Sequence, residues 1–233
     1  MTLWALIRED FKTVKANDPA IGSAIELFFN YPGLWAIFWY RIAHALYIRG
    51  WIRLARILMG INQGLTNIDI HPEATIGRRV FIDHGFGVVV GQTAEIGDDV
   101  TIYQGVTLGG VSLAKGKRHP TIKSGVVLGA GSKVLGNITI GENCKVGANS
   151  VVIRDVPPEC TAVGIPARII DKGRDKSPFS HNKLPDIDRQ MFNYMLKRLA
   201  LLEEALVSGD KDLVKKEREL ESTYEVFIKT LEK

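Results

Sequence analysis

The chain has 233 residues, of which 45% are hydrophobic and 24% are charged. These values are ordinary for a soluble globular protein and leave room for one large domain or two small ones. The net charge of +4 is mild, and much of it is spread over residues 168–176 and 211–229. This distribution argues against a basic groove and a nucleic-acid partner. A modest positive charge would suit an anionic cofactor.

Residues 1–66 are predicted to form a helical N-terminal domain. Thr2 can cap a first helix that runs to Val14. Asp18 can cap a second helix, because it is a natural N-cap and the proline that follows suits a first helical turn.

After a Tyr-Pro-Gly break, further helices are predicted over 34–48 and 51–60. The first of these segments is too short to span a membrane and contains Arg41 and His44. Its apolar residues fall at helical spacing, which indicates a core or a subunit interface rather than a cofactor site. They are Leu34, Ile37, Phe38, Ile42, Ala45 and Leu46.

An aliphatic residue recurs every six positions through most of residues 67–170. The positions are Ile70, Ile76 and Ile82, then Val90, Ile96, Ile102 and Leu108, then Ile122, Leu128, Val134, Ile140, Val146 and Val152. A period of six fits neither an amphipathic helix nor an alternating strand, and it is typical of a hexapeptide β-helix. Each coil of such a domain covers only its neighbours, and columns packed side by side would bury more of their flat faces.

The six-residue period is interrupted twice, once between Ile82 and Val90 and once between Leu108 and Ile122. Eight residues replace six in the first interruption, and the second contains a long polar loop. Insertions in a solenoid become loops, and loops on a rigid scaffold often carry function. Both interruptions contain a histidine, so both are candidate sites.

A polar linker is predicted at 171–186, followed by an amphipathic helical tail at 187–233. One apolar stripe consists of Ile187, Met191, Met195, Leu199, Leu202 and Leu206, and a second of Leu213, Leu220, Tyr224, Phe227 and Leu231. The tail resembles a helical pair or a short coiled coil that needs a partner surface.

The two cysteines, Cys144 and Cys160, form neither a disulfide framework nor a metal-ligand spacing. The first residues show no signal-peptide pattern, so a cytoplasmic protein is expected. Three histidines occur in the predicted β-helix, but His71, His84 and His119 lack the close spacing of metal ligands, so no metal is predicted.

The first interruption holds Asp83 and His84. A histidine can take a proton from a hydroxyl near neutral pH, and a carboxylate that fixes its tautomer helps it. Asp69, one or two strands upstream, could do this. On its own the pair fits a hydrogen-bonded surface histidine equally well.

The second interruption holds Arg118 and His119. The planar guanidinium of arginine suits a substrate carboxylate, and the histidine could add a donor. The alternative interpretation is a solvated basic loop.

Five motifs resemble the serine O-acetyltransferase family of hexapeptide-repeat acyltransferases, over about residues 15–170. They are DIHPEATIG at 69–77, FIDHGFGVVVGQTAEIG at 81–97, TLGG at 107–110, RHPTI at 118–122 and VGIPARII at 163–170. An upstream Asp-Pro-Ala at 18–20 and the Tyr-Arg-Ile-Ala-His segment at 40–44 extend the likeness. The resemblance implies an α+β fold, in which a helical N-terminal domain precedes a left-handed parallel β-helix and a helical tail follows.

The resemblance also implies roles for particular residues. His84 would be the general base and Asp69 would orient it. Asp18 and Asp83 would hold the substrate ammonium, and Arg118 and His119 its carboxylate. Acetyl-CoA would lie beside Gly109, Gly110, Ala130, Gly131 and Lys145.

The implied reaction is acetyl transfer from acetyl-CoA to L-serine, the first step of cysteine synthesis. The family forms homotrimers with active sites between neighbours, often paired into hexamers. In many members a tail ending in isoleucine docks into O-acetylserine sulfhydrylase. This chain ends in Leu-Glu-Lys, so that complex is not expected in its usual form.

Two other functions remain open from the residues. One is acetylation of a sugar or of homoserine, although a clamp charged at both ends argues against a sugar and one extra methylene discriminates only modestly. The other is a non-catalytic scaffold, against which the presence of both Asp69 and His84 argues.

Overall fold

The computed structural model of the chain describes residues 2–18, 20–170, 187–208 and 221–222. Its helices are α1 (Leu3–Asn17), α2 (Ala24–Phe29), α3 (Pro32–Tyr47), α4 (Ile52–Thr66) and α5 (Ile187–Ser208). None of these helices is long and apolar enough to cross a membrane. The predicted linker at 171–186 and nearly all of the second tail helix lie outside the described residues, and the division into domains stays a prediction.

The cap predicted for the first helix is present, since the Thr2 hydroxyl accepts a hydrogen bond from the Ala5 amide at 3.3 Å. The N-cap predicted at Asp18 is wrong. Asp18 ends α1, and Ser23 caps α2 instead. The carboxylate of Asp18 accepts hydrogen bonds from the Ala20 amide at 2.8 Å and from the Tyr31 hydroxyl at 2.6 Å, so it stabilises the connection between helices.

The fourth helix also differs from its prediction, because it continues past Gly60 to Thr66. Glycine costs about 1 kcal/mol in a helix interior relative to alanine. Burial of Ala55, Met59 and Thr66 on the inner face of α4 offsets that cost.

The strands are β1 (Asp69–Ile70), β2 (Thr75–Ile76), β3 (Phe81–Ile82), β4 (Val89–Val90), β5 (Glu95–Ile96), β6 (Thr101–Ile102), β7 (Thr107–Gly109), β8 (Thr121–Ile122), β9 (Val127–Leu128), β10 (Lys133–Leu135), β11 (Thr139–Ile140), β12 (Lys145–Val146), β13 (Val151–Val152), β14 (Thr161–Gly164) and β15 (Ala167–Ile170). All the aliphatic positions of the six-residue period are buried, with at most 7% of any of them exposed. They fill the interior of the column, as the period predicts.

The strands form three parallel sheets, one for each face of the column, and the chain visits the faces in turn. Face 1 contains β1, β4, β7, β10 and β13, face 2 contains β2, β5, β8 and β11, and face 3 contains β3, β6, β9, β12 and β14. The antiparallel strand β15 completes face 3. We call the turns from face 1 to face 2 the 1/2 edge, and the turns from face 3 back to face 1 the 3/1 edge.

The register shows where the two interruptions go. Ile122 pairs with Ile140, eighteen residues later, which is the length of a regular coil. Ile76 pairs with Ile96 after twenty residues, and Ile96 with Ile122 after twenty-six. The extra residues therefore leave the stack as loops. The first loop lies on the 3/1 edge and the second on the 1/2 edge.

Helix α3 covers the first coil, whose backbone would otherwise lack partners on its lower side. The Tyr40 hydroxyl donates to the Ala74 carbonyl at 2.5 Å and accepts from the Ile76 amide at 3.1 Å. The Arg41 guanidinium donates to the carbonyls of Ile76 and Gly77, each at 2.6 Å. These contacts satisfy buried backbone groups that would be costly to leave unpaired.

Arg41 is also paired with Asp10 of α1, through Nε to Oδ2 at 3.0 Å and through a second nitrogen to Oδ1 at 3.2 Å. Both side chains are at most 4% exposed. At the start of α3, a Cβ on Gly33 would collide with the Ile82 carbonyl, so the helix packs directly on β3. The ion pair and this contact fix α1 and α3 against the β-helix.

We expect Arg41→Met to lower the free energy of unfolding by about 3–5 kcal/mol, because it leaves the Asp10 carboxylate buried without its partner. Urea unfolding at a fixed protomer concentration measures this. Arg8→Met on the exposed side of α1 is the control and should change stability by less than about 0.5 kcal/mol. Equal effects of the two substitutions would contradict the role of the buried pair.

Candidate active site

His84 projects from the 3/1 edge, directly after β3. Its backbone has a φ of 56° and that of Gly85 a φ of 82°, so the chain turns sharply out of the strand. The His84 side chain is 73% exposed, and its Nε2 lies 3.9 Å from Oδ1 of Asp83. An exposed imidazole beside a carboxylate can exchange protons with a bound molecule.

The helical region adds a second carboxylate and a tyrosine to this edge. Hydrogen bonds from the Tyr31 hydroxyl and the Ala20 amide lower the pKa of Asp18, and the nearby His84 lowers it further. Burial, together with Asp18 and the more distant Glu26 and Asp83, raises the pKa of Tyr31 to about 12. Tyr31 therefore stays protonated and donates to Asp18. The sequence had indicated Tyr31 only as part of a helix break.

Asp69 begins β1 beside the same loop, and its backbone amide donates to the Val88 carbonyl at 2.9 Å. Its side chain is half-buried. Among the described residues no hydrogen bond joins Asp69 to His84, so its orienting role stays a prediction.

His119 is held on the 1/2 edge, in a space that two glycines leave open. It is only 8% exposed. A Cβ on Gly91 would collide with its ring, and a Cβ on Gly110 would lie 3.2 Å from its Nε2. The ring therefore occupies a position that only glycine allows.

Thr93 sets the orientation and the tautomer of His119. Its hydroxyl accepts from the backbone amides of Arg118 at 3.0 Å and His119 at 3.1 Å. The Thr93 amide donates to Nδ1 of His119 at 3.2 Å, which assigns the ring proton to Nε2. Burial, and to a lesser extent Arg118, lowers the pKa of His119. The ring is then a neutral N–H donor at neutral pH.

Arg118 is half-buried beside His119. Its guanidinium donates to Oε1 of Gln92 at 2.6 Å and, at 3.4 Å, to the Ala114 carbonyl. Arg118 and His119 thus place a cation and a neutral donor on one edge, an arrangement suited to a carboxylate.

One chain does not bring these two groups together. His84 and Asp83 follow a strand of face 3, whereas Arg118 and His119 precede a strand of face 2. The strands of face 1 separate the two edges. This separation could have been predicted from the sequence, because every six residues of the period advance the chain by one face.

The residues predicted to bind acetyl-CoA are similarly divided. Gly109 and Gly110 lie at the 1/2 edge, Ala130 and Gly131 at the 3/1 edge, and Lys145 on face 3. One protomer therefore does not gather them into a single surface.

A column of glycines, in part missed from the sequence, rises along the 3/1 edge above His84. Gly87, Gly105 and Gly131 have φ values of 73°, 71° and 71°, and a Cβ on Gly105 would lie 3.4 Å from the Cα of Gly131. Lys133 donates to the carbonyls of Gly105 and Gly131. These three glycine positions therefore present bare backbone on an edge that also carries the exposed side chains of Phe86 and Gln104. Within the described residues, no three His, Cys, Asp or Glu side chains form a cluster that could hold a metal ion.

Known proteins are similar in sequence to the repeat and to most of the chain. A family model described as bacterial transferase hexapeptide (six repeats) matches residues 119–154. A serine acetyltransferase of Bacillus subtilis is 49% identical over 86% of this chain and 94% of its own length. That of Synechococcus elongatus is 46% identical over 88% of this chain and 84% of its own length.

Two solved serine acetyltransferase structures, one in complex with cysteine and one in complex with CoA, are each 43% identical to the chain. Each match covers 72% of this chain and 70% of the other, with TM-scores of 0.70 and 0.67. The predicted fold is confirmed: helices precede a left-handed parallel β-helix, and a further helix follows it.

We expect Gly91→Ala to displace the His119 ring and to destabilise the protein by about 1–3 kcal/mol, because the new methyl group has no room. The same substitution at Gly60, where a Cβ meets nothing within 4 Å, is the control. Gly60→Ala should stabilise the helix by about 1 kcal/mol. Urea unfolding compares the two, and an unchanged stability of Gly91→Ala would contradict the packing described.

Proposed function

The chain belongs to the serine acetyltransferase family, and we propose that it transfers the acetyl group of acetyl-CoA to the hydroxyl of L-serine. The products are O-acetyl-L-serine and CoA. The observation that carries the proposal is the exposed His84 beside two carboxylates on the 3/1 edge. Acetylation of an amino-acid hydroxyl needs a base for the hydroxyl proton, and carboxylates beside that base can bind the substrate's ammonium group.

In the proposed complex, Asp18 and Asp83 bind the ammonium of serine. Arg118 and the Nε2–H of His119 bind its carboxylate, which is supported by the lowered pKa and fixed tautomer of His119. A zwitterion thus meets charges of opposite sign at each end.

His84 acts as the general base. It takes the proton from the serine hydroxyl as the oxygen attacks the thioester carbonyl, and a tetrahedral oxyanion forms. The carbon–sulfur bond then breaks, the CoA sulfur leaves, and it recovers the proton from His84. Asp69 orients the imidazole, and no covalent acyl-enzyme is needed.

Acetyl-CoA lies along the 3/1 edge of one protomer beside Ala130 and Gly131, where Gly87, Gly105 and Gly131 carry no side chain. Gly109 and Gly110 of a neighbouring protomer complete the proposed site. Lys145 carries a positive charge on face 3 that suits the anionic end of the molecule.

We propose the homotrimer that the family resemblance implies, and the division of the site between two edges supports an assembly of this kind. The 3/1 edge of one protomer would face the 1/2 edge of the next, and three such contacts close a ring. Exposed apolar side chains on both edges support this: Phe86 is 59% exposed on the first, and Val111 is 70% exposed on the second. A hexamer remains compatible with this arrangement.

A cytoplasmic location is a further part of the proposal, since the two cysteines provide no disulfide framework.

Release of CoA from acetyl-CoA with L-serine, L-homoserine or a panel of sugars tests the substrate. We expect serine to be preferred, with homoserine disfavoured by roughly 10–200-fold for its extra methylene. Turnover with a sugar and none with serine would overturn the proposal.

His84→Ala should lower kcat by about 10²–10⁴-fold, because it removes the general base. Asn143→Ala is a matched control, since Asn143 has the same φ of 56° on a turn away from both edges. It should keep near-normal turnover. Near-normal turnover by His84→Ala would contradict the assignment of the base.

A further inference from the structure

Tyr47 of α3 and three side chains on the 1/2 edge form a continuous series of hydrogen bonds that ends at Arg118. The Tyr47 hydroxyl of α3 donates to Oε2 of Glu73 at 2.5 Å. Gln92 Nε2 donates to the same oxygen at 2.7 Å. Arg118 then donates to Oε1 of Gln92 at 2.6 Å. This series of hydrogen bonds thus links the helical region, two successive turns of the β-helix and the inserted loop.

The chemistry of the end groups allows only one orientation of the Gln92 amide. A carboxylate accepts hydrogen bonds and a guanidinium only donates them. Hydrogen bonds from Tyr47 and Gln92 lower the pKa of Glu73, so its carboxylate is ionised at neutral pH. The amide nitrogen of Gln92 must then face Glu73, and its oxygen must face Arg118.

Arg118 needs such a support because of where it lies. The residues just before it in the inserted loop, at 111–117, are all exposed. Its other described side-chain contact, with the Ala114 carbonyl of that loop, is long at 3.4 Å. Gln92 belongs instead to the turn between β4 and β5, within the regular stack. It therefore connects the guanidinium to a rigid part of the fold.

We propose that Gln92 is a positioning residue for the amino-acid acceptor, and that Glu73 fixes the orientation of the Gln92 amide. Gln92 holds the guanidinium of Arg118 where it meets the substrate carboxylate. The inference rests on the proposed function, in which Arg118 binds that carboxylate. A neutral amide suits this position, because it supports the cation without neutralising it.

The test compares L-serine with L-serinamide, which carries no carboxylate. Gln92→Leu should raise the KM for serine by about tenfold, the cost of losing one hydrogen bond to a charged group, with kcat changed by less than about twofold. Binding of serinamide, measured as an alternative substrate or a competitive inhibitor, should stay the same. A general structural defect would weaken the binding of both serine and serinamide. Weaker binding of both ligands would therefore overturn the proposal.

Three further variants complete the design. Gln92→Glu neutralises the Arg118 cation and places a second carboxylate beside Glu73, so it should raise the serine KM as Gln92→Leu does. Glu73→Leu frees the Gln92 amide to turn and should raise the serine KM less than Gln92→Leu does. Gln63→Leu, on an exposed part of α4, is the matched control and should change neither the serine KM nor the binding of serinamide.

Arg118→Leu separates this inference from the function on which it rests. If Arg118→Leu leaves serine binding unchanged, the carboxylate site itself is wrong. If Arg118→Leu weakens serine binding and Gln92→Leu does not, the site stands and the positioning role of Gln92 is wrong.

Discussion

Each coil of the β-helix must pair its backbone with the coils above and below it, and the rest of the molecule follows from that requirement. Extra residues cannot enter the stack, so both insertions leave it at an edge. The lower side of the first coil needs partners from elsewhere, and Tyr40 and Arg41 of α3 supply them. The same contacts place the helices beside β3, which brings Asp18 and Tyr31 to the edge that carries His84.

The two edges differ in charge as well as in position. Asp18 and Asp83 make the 3/1 edge acidic around His84, whereas Arg118 and a neutral His119 offer donors on the 1/2 edge. A zwitterionic substrate would fit between such edges when two protomers meet. In the proposed site the rigid stack would hold each half in place, since both groups of residues lie next to strands.

The repeat could be predicted well from the sequence because it is local. Every aliphatic position of the period is buried, and both interruptions are loops. The prediction that Asp18 begins a helix failed because the same residue type that caps a helix also stabilises the turn after one.

The supports of the site could not be predicted because they act across space. Thr93 and Gln92 contact residues twenty-six positions away, in the coil above, and nothing in their local sequence distinguishes them from ordinary turn residues. Tyr31 likewise depends on the docking of α3 against β3. The division of the proposed site between two edges can be predicted from the six-residue period, provided that each aliphatic position is assigned to one of the three faces.

Mixed assembly of two variants, each defective in a different half of the proposed site, tests the shared site most directly. His84→Ala and Arg118→Leu protomers are unfolded together in equal amounts, refolded, and assayed near the serine KM of the unsubstituted protein. If each site joins the 3/1 edge of one protomer to the 1/2 edge of the next, random mixing restores both halves in about one quarter of the sites. We expect about one quarter of normal activity. Activity no greater than the average of the two separate variants would contradict a site formed between protomers.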